Sequence, residues 1–584
     1  MKNPKTRDKN QSSHVPGFET LPELLDQAVE RHASRVAMKS HHPWGYQSIT
    51  YREMGRLVSY LGTGLIARGL KRHDRVALIA DNSPEWALLY AAVTSAGGVI
   101  VPLETGMKEN EIRHLLLHSG TTMLVVSPAL YADRIEGMRL QDVQVFVIGE
   151  EKGLGGTPLG EVMADGKQRI NDGDGEFFNR KSSVSPDDIA AICYTSGTTG
   201  QPKGVVLLHR NLISNVKGCI RRFKVTETDS FLCLLPLYHT LASTTTFLVP
   251  VAAGCTVAFA RSLKSRDIRE DIEREGITIF VGVPLLFEHI AAAVRDQMEK
   301  APKGGRVLLQ SLLRALAGFM ALLSRIFRRK VGSGLYRRGL SKKGLGSIRF
   351  CISGAAALRR DVEQMLTGIG LPVLQGYGLT EASPVVTANP LERPKSGSVG
   401  PPLDGVEVRI DSPDGEGVGE VTVRGGNVMK EYWKNPEATA AALRSGWLHT
   451  GDLGMLDKDG YLTLVGRKKH IIVTAGGKNI HPESVEAKLN RSPFILESMV
   501  LSVPDRKGNE RVAAIIVPDY DTLGGLRAEL TEEGIRKTIA DEINKACSEL
   551  PDYKRIVEFQ IRDEELPKTP TRKVKRHLVT WIKE

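Results

Sequence analysis

A segment rich in glycine, serine and threonine places the strongest constraint on this chain. It runs from Tyr194 to Gly204, reads Tyr-Thr-Ser-Gly-Thr-Thr-Gly-Gln-Pro-Lys-Gly, and directly follows the apolar run 189–193. Glycines let a backbone approach a ligand closely, hydroxyl groups donate hydrogen bonds, and Lys203 adds a positive charge. The pattern therefore indicates a loop that wraps polyphosphate at the end of a buried strand.

This segment differs from the common nucleotide-binding loop. The Walker pattern requires Gly, four residues, then Gly-Lys and Ser or Thr, whereas here Lys203 follows Pro202 and precedes Gly204. A generic segment of this composition is more often a flexible linker. The phosphate-loop interpretation therefore has to be tested on motifs elsewhere in the chain.

Apolar runs alternate with helical patterns over the first 150 residues. Helical spacing of apolar residues predicts surface helices over 20–32 and 50–69. Buried strands are predicted at 75–80, 97–103, 123–127 and 143–148. This alternation predicts an α/β fold whose sheets are mostly parallel and covered by helices. Residues 153–186, rich in Gly, Asp and Ser, are predicted to form a solvated connection.

Length and composition narrow the class of protein. A chain of 584 residues is too long for one core, so two or more domains are expected. The hydrophobic content of 41% and charged content of 25% are those of a soluble globular protein. Six widely spaced cysteines without a C-x-x-C pair favour a reducing cytoplasm over a disulfide framework or a zinc site. The first 15 residues are interpreted as a flexible polar tail, and no apolar run is long enough to cross a membrane.

The positive charge of the chain is concentrated in one stretch. The net charge is +11, from 79 basic minus 68 acidic residues, and residues 301–348 contain eleven Lys and Arg with no Asp or Glu. Within the basic insert, about 301–346, apolar residues fall on one helical face and cationic residues on the other. Such a helix either lies on an anionic membrane surface or packs on the domain. A nucleic-acid interaction is disfavoured because the insert lacks interleaved stacking aromatics.

Two further segments in the middle of the chain contain residues that could contact a flat base, a phosphate and a metal ion. The Gly354-Ala355-Ala356 loop leaves room for a flat base, and Tyr377, between Gly376 and Gly378, offers a stacking face. Thr380 can hydrogen-bond a phosphate, and Glu381 can share Mg²⁺ with phosphate oxygens. From Gly405 the pattern becomes that of short strands and turns, which predicts a β-rich subdomain.

Taken in order, these sequence motifs resemble those of the adenylate-forming superfamily, which includes acyl-CoA synthetases, luciferases and peptide-synthetase adenylation domains. In that superfamily the loop equivalent to Tyr194–Gly204 holds the β- and γ-phosphates of ATP. The resemblance thereby assigns phosphate contacts to Thr195, Ser196, Gly197, Thr198, Thr199, Gly200 and Lys203. It also places His239, in the Leu-Pro-Leu-Tyr-His motif, near the carboxylate to be activated, although an isolated His is more often a core residue. Asp452 and Arg467 take the positions that contact the ribose.

The resemblance also implies a mobile C-terminal part. An N-terminal domain over 16–467 and a small α+β domain over 468–584 are expected, with Lys469 at the hinge. Gly476 and Gly477 would line a channel for the pantetheine arm of coenzyme A. Aligning the Pro-Lys-Thr pattern places the catalytic lysine at Lys573, with Lys568, Lys575 and Arg576 as ordinary solvated alternatives. Two residues depart from the superfamily's pattern. His470 stands where an acidic residue is more frequent, and Arg572 stands where glycine is usual.

The expected activity is that of a cytoplasmic, ATP- and Mg²⁺-dependent fatty acid–CoA ligase. A medium- or long-chain fatty acid would react with ATP to give acyl-adenylate, and CoA would then take the acyl group. An aryl acid or a carrier-protein thiol remain alternatives within the superfamily. An inactive, membrane-associated binding module is the alternative from another class, and carboxylate-dependent ATP–pyrophosphate exchange separates it from an enzyme.

Overall fold

The computed structural model of the chain describes residues 17–42, 45–149, 155–195, 202–299, 345–473, 478–504, 510–524, 531–548, 550–568 and 574–582. The chain divides into two compact units, a larger one of residues 1–407 and 423–448 and a smaller one of 408–422 and 449–584. The predicted domain boundary between 467 and 468 stays a prediction. Most of the basic insert, residues 301–344, lies outside the described part of the chain.

The helices are α1 (Leu21–His32), α2 (Tyr51–Ala67), α3 (Pro84–Ser95), α4 (Glu109–Ser119), α5 (Pro128–Leu130), α6 (Leu159–Asn171), α7 (Glu176–Ser182), α8 (His209–Phe223), α9 (Thr240–Ala242), α10 (Val249–Ala252), α11 (Ser265–Glu275), α12 (Pro284–Glu299), α13 (Arg360–Gly368), α14 (Pro436–Ala442), α15 (Pro482–Leu489), α16 (Tyr520–Gly524) and α17 (Glu532–Ser548). Side-chain caps set several of their starts. Thr50 and Glu53 form a capping box at α2, and Ser83 caps α3 ahead of Pro84. None of the helices in the described ranges is both long and apolar enough to cross a bilayer.

The strands are β1 (Val36–His42), β2 (Gly45–Thr50), β3 (Arg75–Ile79), β4 (Val99–Pro102), β5 (Thr121–Val126), β6 (Gln144–Val147), β7 (Thr157–Pro158), β8 (Ile189–Thr195), β9 (Lys203–Leu208), β10 (Ser230–Cys233), β11 (Thr256–Phe259), β12 (Ile279–Gly282), β13 (Phe350–Ser353), β14 (Val373–Gly378), β15 (Val385–Ala388), β16 (Val406–Asp411), β17 (Gly419–Gly425), β18 (Glu431–Tyr432), β19 (Leu443–Arg444), β20 (Trp447–Leu456), β21 (Leu462–Arg467), β22 (Ile472–Val473), β23 (Asn479–Ile480), β24 (Ile495–Pro504), β25 (Glu510–Pro518) and β26 (Glu558–Ile561).

Two eight-stranded sheets form the larger unit. One has the order β15-β14-β13-β12-β10-β11-β1-β2, and the other has the order β18-β9-β8-β4-β3-β5-β6-β7. The inner strands run parallel, while β2, β15, β9 and β18 are antiparallel additions at the edges. Inner strands such as β3, β4, β5 and β12 are largely buried, and their sequences are nearly continuous apolar runs, as expected for strands covered on both faces. The prediction of mostly parallel, helix-covered sheets is confirmed.

The remaining strands confirm the β-rich pattern after Gly405. A five-stranded sheet has the order β16-β17-β20-β19, with β21 also paired to β20. In the smaller unit, β24-β25-β26 form a three-stranded sheet, and α15 and α17 pack with it around a core that includes Val485, Ile516 and Ile539. This unit has the small α+β architecture predicted from its pattern.

The prediction of a solvated connection over 153–186 was wrong. The described part of this stretch contains β7 and two helices, α6 and α7. A Cβ on Gly166 would lie 1.9 Å from the carbonyl oxygen of Tyr60, and one on Gly64 would lie 2.0 Å from that of Val162. The backbones of α2 and α6 therefore touch, and Gly166 serves close helix packing. Glycine content alone misled the interpretation because it ignored the buried residues Leu159 and Val162.

Candidate active site

The predicted phosphate loop joins the two strands of a hairpin. β8 and β9 run antiparallel, and Thr195 at the end of β8 lies opposite Lys203 at the start of β9. Both residues are half-buried. The intervening positions Ser196, Gly197, Thr198, Thr199 and Gly200 lie outside the described residues. The structure therefore fixes the base of the loop and the orientation of its cation.

A tyrosine that sequence reasoning missed connects this hairpin to the Thr380-Glu381 motif. Tyr432 lies on β18, which pairs with β9, and its hydroxyl donates to Glu381 Oε1 at 2.7 Å. The Lys203 ammonium lies 5.1 Å from the centre of the Tyr432 ring, within the range of a cation–π interaction. Burial, and next the Glu381 carboxylate, raise the pKa of Tyr432, so the phenol stays protonated and donates. The predicted phosphate and metal residues thus come together around one aromatic ring.

A tight turn presents Glu381. The turn begins after β14, and the Leu379 N–H closes it by donating to the Pro384 carbonyl at 3.0 Å. A Cβ on Gly378 would lie 2.0 Å from that same carbonyl oxygen. Glycine is needed here because no side chain fits between the two backbone segments. Thr380 and Glu381 then lie in a single helical turn, and both are half-buried.

Two buried asparagines hold the far side of this turn. Asn215, on α8, donates to the Val385 carbonyl at 2.7 Å and accepts from the Val385 N–H at 3.2 Å. Asn427 donates to the Ala382 carbonyl at 2.9 Å. Both side chains are almost completely buried, at 1% and 0% exposure. An amide can donate and accept at once, so it satisfies backbone groups that a turn leaves unpaired.

The predicted base-binding residues follow neighbouring parallel strands. Ser353, the last residue of β13, is paired with Gln375 of β14, so Gly354 and Gly376 come next at the same sheet edge. Ala355 adopts a left-handed backbone with φ of 71°, and Ala356 is exposed. Tyr377 lies on β14 opposite Thr387 and is 8% exposed. The structure brings these predicted residues together at the carboxyl ends of the strands, where ligands of open α/β sheets bind.

His239 follows β10 at the same edge. Its ring is half-buried and lies 4.6 Å, centre to centre, from that of Tyr238. The segment before it is fixed by Asn82, which donates to the Leu235 carbonyl and accepts from the Leu237 N–H, both at 2.8 Å. Burial, and next the charge of Glu104, raise the pKa of Tyr238 to about 12.

In the smaller unit, the predicted ribose residues form a direct pair. Asp452 on β20 is paired across the strands with Arg467 on β21, and Arg467 Nε lies 2.8 Å from Asp452 Oδ1. The aspartate side chain is 9% exposed and the arginine side chain 43% exposed. The buried carboxylate can accept hydrogen bonds from sugar hydroxyls, and the accessible guanidinium can donate to them.

The residues after Arg467 form ion pairs within the same unit. Desolvation, followed by the charges of Arg467 and Arg576, lowers the pKa of Lys469. His470 Nδ1 lies 2.6 Å from Glu483 Oε1, so the histidine at the usually acidic position is paired with a carboxylate. Burial tends to raise the pKa of Glu483, but the hydrogen bond with His470, a backbone hydrogen bond and the charges of Arg576 and His470 together lower it. Gly476, Gly477 and Lys573 lie outside the described residues.

Two of the competing basic residues have structural partners. Lys568 is paired with Glu497 and, at 2.9 Å, with Glu565. Arg576 is paired with Glu486 and donates to the Val500 carbonyl at 2.8 Å. These contacts give both residues a role in holding the C-terminal segment. The assignment of the catalytic lysine to Lys573 stays a prediction.

Glu381 suits a magnesium ion. Mg²⁺ is usually held by one or two carboxylates together with phosphate oxygens and water, and ligating carboxylates are themselves hydrogen-bonded. Glu381, oriented by Tyr432, meets both conditions. A second set of possible ligands, Asp411, Glu420 and His449, has its donor atoms within 4.8 Å of one another. There, the Lys468 ammonium already neutralises Glu420 at 2.9 Å.

Comparison with known families decides the class of this chain. The model of the AMP-binding enzyme family matches residues 25–433, and that of the AMP-binding enzyme C-terminal domain matches residues 484–573. The chain belongs to the AMP-binding enzyme family. It is an adenylate-forming protein of the kind that includes fatty acid–CoA ligases. Membership supports an AMP-forming acid–thiol ligase and leaves the acid and the thiol open.

The family's curated relatives differ in the acid they name. Feruloyl-CoA synthase of Amycolatopsis sp. is 32% identical, over 81% of this chain and 84% of the relative. The long-chain-fatty-acid–CoA ligase FadD15 of Mycobacterium tuberculosis is 30% identical, over 91% of this chain and 90% of the relative. Among solved structures, ATP-bound MatB of Rhodopseudomonas palustris superposes with a TM-score of 0.72 at 26% identity, covering 96% of this chain and 98% of MatB.

Proposed function

We propose that this family member activates a medium- or long-chain fatty acid as acyl-adenylate and transfers the acyl group to coenzyme A. The observation that carries the proposal is the convergence of Lys203, Tyr432 and Glu381 at the base of the phosphate loop. A site that must stabilise a departing pyrophosphate needs a cation and a metal-binding carboxylate held close together.

In the first step, an oxygen of the fatty acid carboxylate attacks the α-phosphorus of ATP, and pyrophosphate leaves. Negative charge grows on the phosphate oxygens, where the loop hydroxyls, Lys203 and Lys573 donate to it. Glu381 would hold Mg²⁺, which supplies charge neutralisation to the phosphates. Tyr377 would stack on the adenine, and Asp452 with Arg467 would bind the ribose.

In the second step, the coenzyme A thiol attacks the carbonyl carbon of the acyl-adenylate, and AMP leaves. We infer that rotation about Lys469 withdraws Lys573 and presents Gly476 and Gly477 to the pantetheine arm. One site would then serve the two reactions in turn. His239 would lie beside the acyl carbonyl.

The choice of a fatty acid is supported by the similarity to FadD15 and by the basic amphipathic pattern of residues 301–346. That insert would let a cytoplasmic enzyme take a lipid-soluble acid from the inner surface of the cell membrane. Deleting 303–343 should weaken binding to anionic liposomes in a salt-dependent way, and unchanged binding would refute this role.

The deciding experiment is a panel of acids in an assay of CoA-dependent AMP release. Fatty acids of increasing chain length are compared with ferulate, and CoA is compared with acyl-carrier protein. The proposal predicts the highest kcat/KM for a medium- or long-chain acid with CoA. A preference for ferulate or for the carrier protein would replace it with one of the two alternatives, and absence of ATP–pyrophosphate exchange with every acid would reject an enzyme.

A further inference from the structure

One aromatic residue touches both charged groups that the proposed function assigns to metal and phosphate. Tyr432 donates its hydroxyl to Glu381 Oε1 at 2.7 Å, and its ring centre lies 5.1 Å from Lys203 Nζ. Glu381 and Lys203 are 178 positions apart in sequence, at 381 minus 203. The side chain that joins them was not part of any motif recognised in the sequence.

Strand pairing explains why these groups meet. Tyr432 is directly opposite Val205 in the antiparallel pair of β18 and β9. Side chains two residues apart on a strand point to the same face, so Lys203 and Val205 share a face with Tyr432. The ring therefore lies diagonally across from the lysine, within reach of its ammonium group.

Backbone hydrogen bonds fix the Tyr432 segment at both ends. The Trp433 N–H donates to the Gly204 carbonyl at 2.7 Å, and the Lys430 N–H donates to the Val206 carbonyl at 3.0 Å. One residue earlier, the Met429 N–H donates to the Glu381 carbonyl at 2.8 Å. The segment is thus tied both to the strand that carries Lys203 and to the turn that carries Glu381. With 9% of Tyr432 exposed, its ring has little room to rotate.

We propose that Tyr432 is a positioning residue that holds the Glu381 carboxylate and the Lys203 ammonium in fixed relation to each other. The inference rests on the proposed function and adds a residue to it. The hydroxyl restricts rotation of the carboxylate, so its oxygens are already oriented when a metal–nucleotide complex arrives. Partners that orient a ligating group typically change metal affinity or activity about 10- to 100-fold when removed.

The test is direct measurement of metal binding in the full-length protein. Mn²⁺ serves as a paramagnetic probe, and its binding is followed by electron paramagnetic resonance with a non-hydrolysable ATP analogue present. Tyr432→Phe should raise the Kd for Mn²⁺ about 10- to 100-fold, while binding of the analogue without metal should stay at the wild-type level. Wild-type Mn²⁺ affinity in Tyr432→Phe would overturn the proposal.

Tyr51→Phe is the matched control. Tyr51 is fully buried in the same unit, and its hydroxyl donates to the Cys255 carbonyl, also at 2.7 Å. Removing this hydroxyl removes a buried tyrosine hydrogen bond of the same length, but its acceptor is a neutral carbonyl and no charged group of the site is touched. Tyr51→Phe should therefore keep wild-type Mn²⁺ affinity, and an equal loss in both variants would assign the effect to general destabilisation.

A double-mutant cycle shows whether Tyr432 acts through Glu381. In a Glu381→Gln background, the additional change Tyr432→Phe should leave Mn²⁺ affinity unchanged, because the group it orients no longer binds metal. Additive losses would overturn the proposal. Glu381→Asp shortens the side chain away from the hydroxyl while keeping the charge, and it should weaken Mn²⁺ binding even if Tyr432→Phe fails to fold.

Failure of this inference can be told from failure of the proposed function. Wild-type protein that shows carboxylate-dependent ATP–pyrophosphate exchange, together with unaltered metal binding in Tyr432→Phe, rejects the positioning role alone. Wild-type protein without exchange for any acid rejects the proposed function, whatever the metal measurements show.

Discussion

The pairing of Asp452 with Arg467 leads to a quantitative prediction about ribose recognition. If the Asp452 carboxylate accepts hydrogen bonds from both ribose hydroxyls, each bond to this charged acceptor should contribute about 1.5–3 kcal/mol. Replacing ATP by 2′-deoxyATP removes one of them. For the wild-type protein, we therefore expect the Kd to rise about 10- to 150-fold with the deoxynucleotide.

Asp452→Ala removes the acceptor, and the same nucleotide exchange should then change the Kd by less than about 3-fold, near the scatter of such additivity tests. The fold should tolerate this change, because the Arg467 side chain is 43% exposed and can be hydrated once its partner is lost. Isothermal titration calorimetry with both nucleotides and both proteins, in the absence of acid, gives the four affinities needed.

Glu407→Ala is a suitable control, because it opens another carboxylate–arginine pair on neighbouring strands. Glu407 and Arg424 are joined by bonds of 2.7 and 2.9 Å and are both exposed. This variant should retain the wild-type preference for ATP over 2′-deoxyATP. If Asp452→Ala keeps that preference as well, Asp452 does not bind the 2′-hydroxyl and the assignment is wrong.

Three further predictions address the turn, Lys573 and acid stability. Gly378→Ala should lower kcat/KM for ATP–pyrophosphate exchange at least about 10-fold, the equivalent of about 1.4 kcal/mol. The reason is that the added Cβ would lie 2.0 Å from the Pro384 carbonyl oxygen. Gly368→Ala, which has open space around the added methyl group, should keep the wild-type kcat/KM. Lys573→Ala should abolish adenylation yet leave thioester formation from supplied acyl-adenylate largely intact, and Lys575→Ala should keep near wild-type activity in both steps. Equal loss of both steps in Lys573→Ala would refute a role for Lys573 in adenylation alone. The pKa of Glu483 is lowered in the folded state. Its contribution to stability should therefore be present above its unfolded pKa of about 4.5 and be lost as the pH falls through the lower folded value. The wild type but not Glu483→Gln should show this loss of stability in denaturant titrations from pH 6 to 3, and identical acid dependence of the two proteins would contradict the prediction.

Local sequence predicted the elements whose signals are local. The apolar run before Thr195, the helical spacing over 50–69 and the strand pattern around Asp452 and Arg467 each depend on neighbouring residues. Such signals remain readable from one segment at a time. The stretch 153–186 failed because its helices depend on packing against α2, where Gly64 and Gly166 let two backbones touch.

The residues that orient the site were beyond sequence reasoning for a different reason. Asn215 reaches Val385 across 170 positions, and Tyr432 reaches Glu381 across 51. Neither asparagine nor tyrosine has a distinctive local pattern at these places, and their roles depend on which strands become neighbours. Only the topology, with β18 added beside β9, shows that Tyr432 meets Lys203.

Lys573 lies outside the described residues, but the residues on either side of it, up to 568 and from 574, are described. Lys568 and Val574 pair as an isolated bridge, and the Lys575 N–H donates to the Pro567 carbonyl at 2.7 Å. The pair of Lys568 with Glu497 and that of Arg576 with Glu486 attach these flanking residues to the rest of the smaller unit. If Lys573 is the catalytic lysine, we therefore expect Glu497 and Glu486 to influence adenylation through these flanking ion pairs.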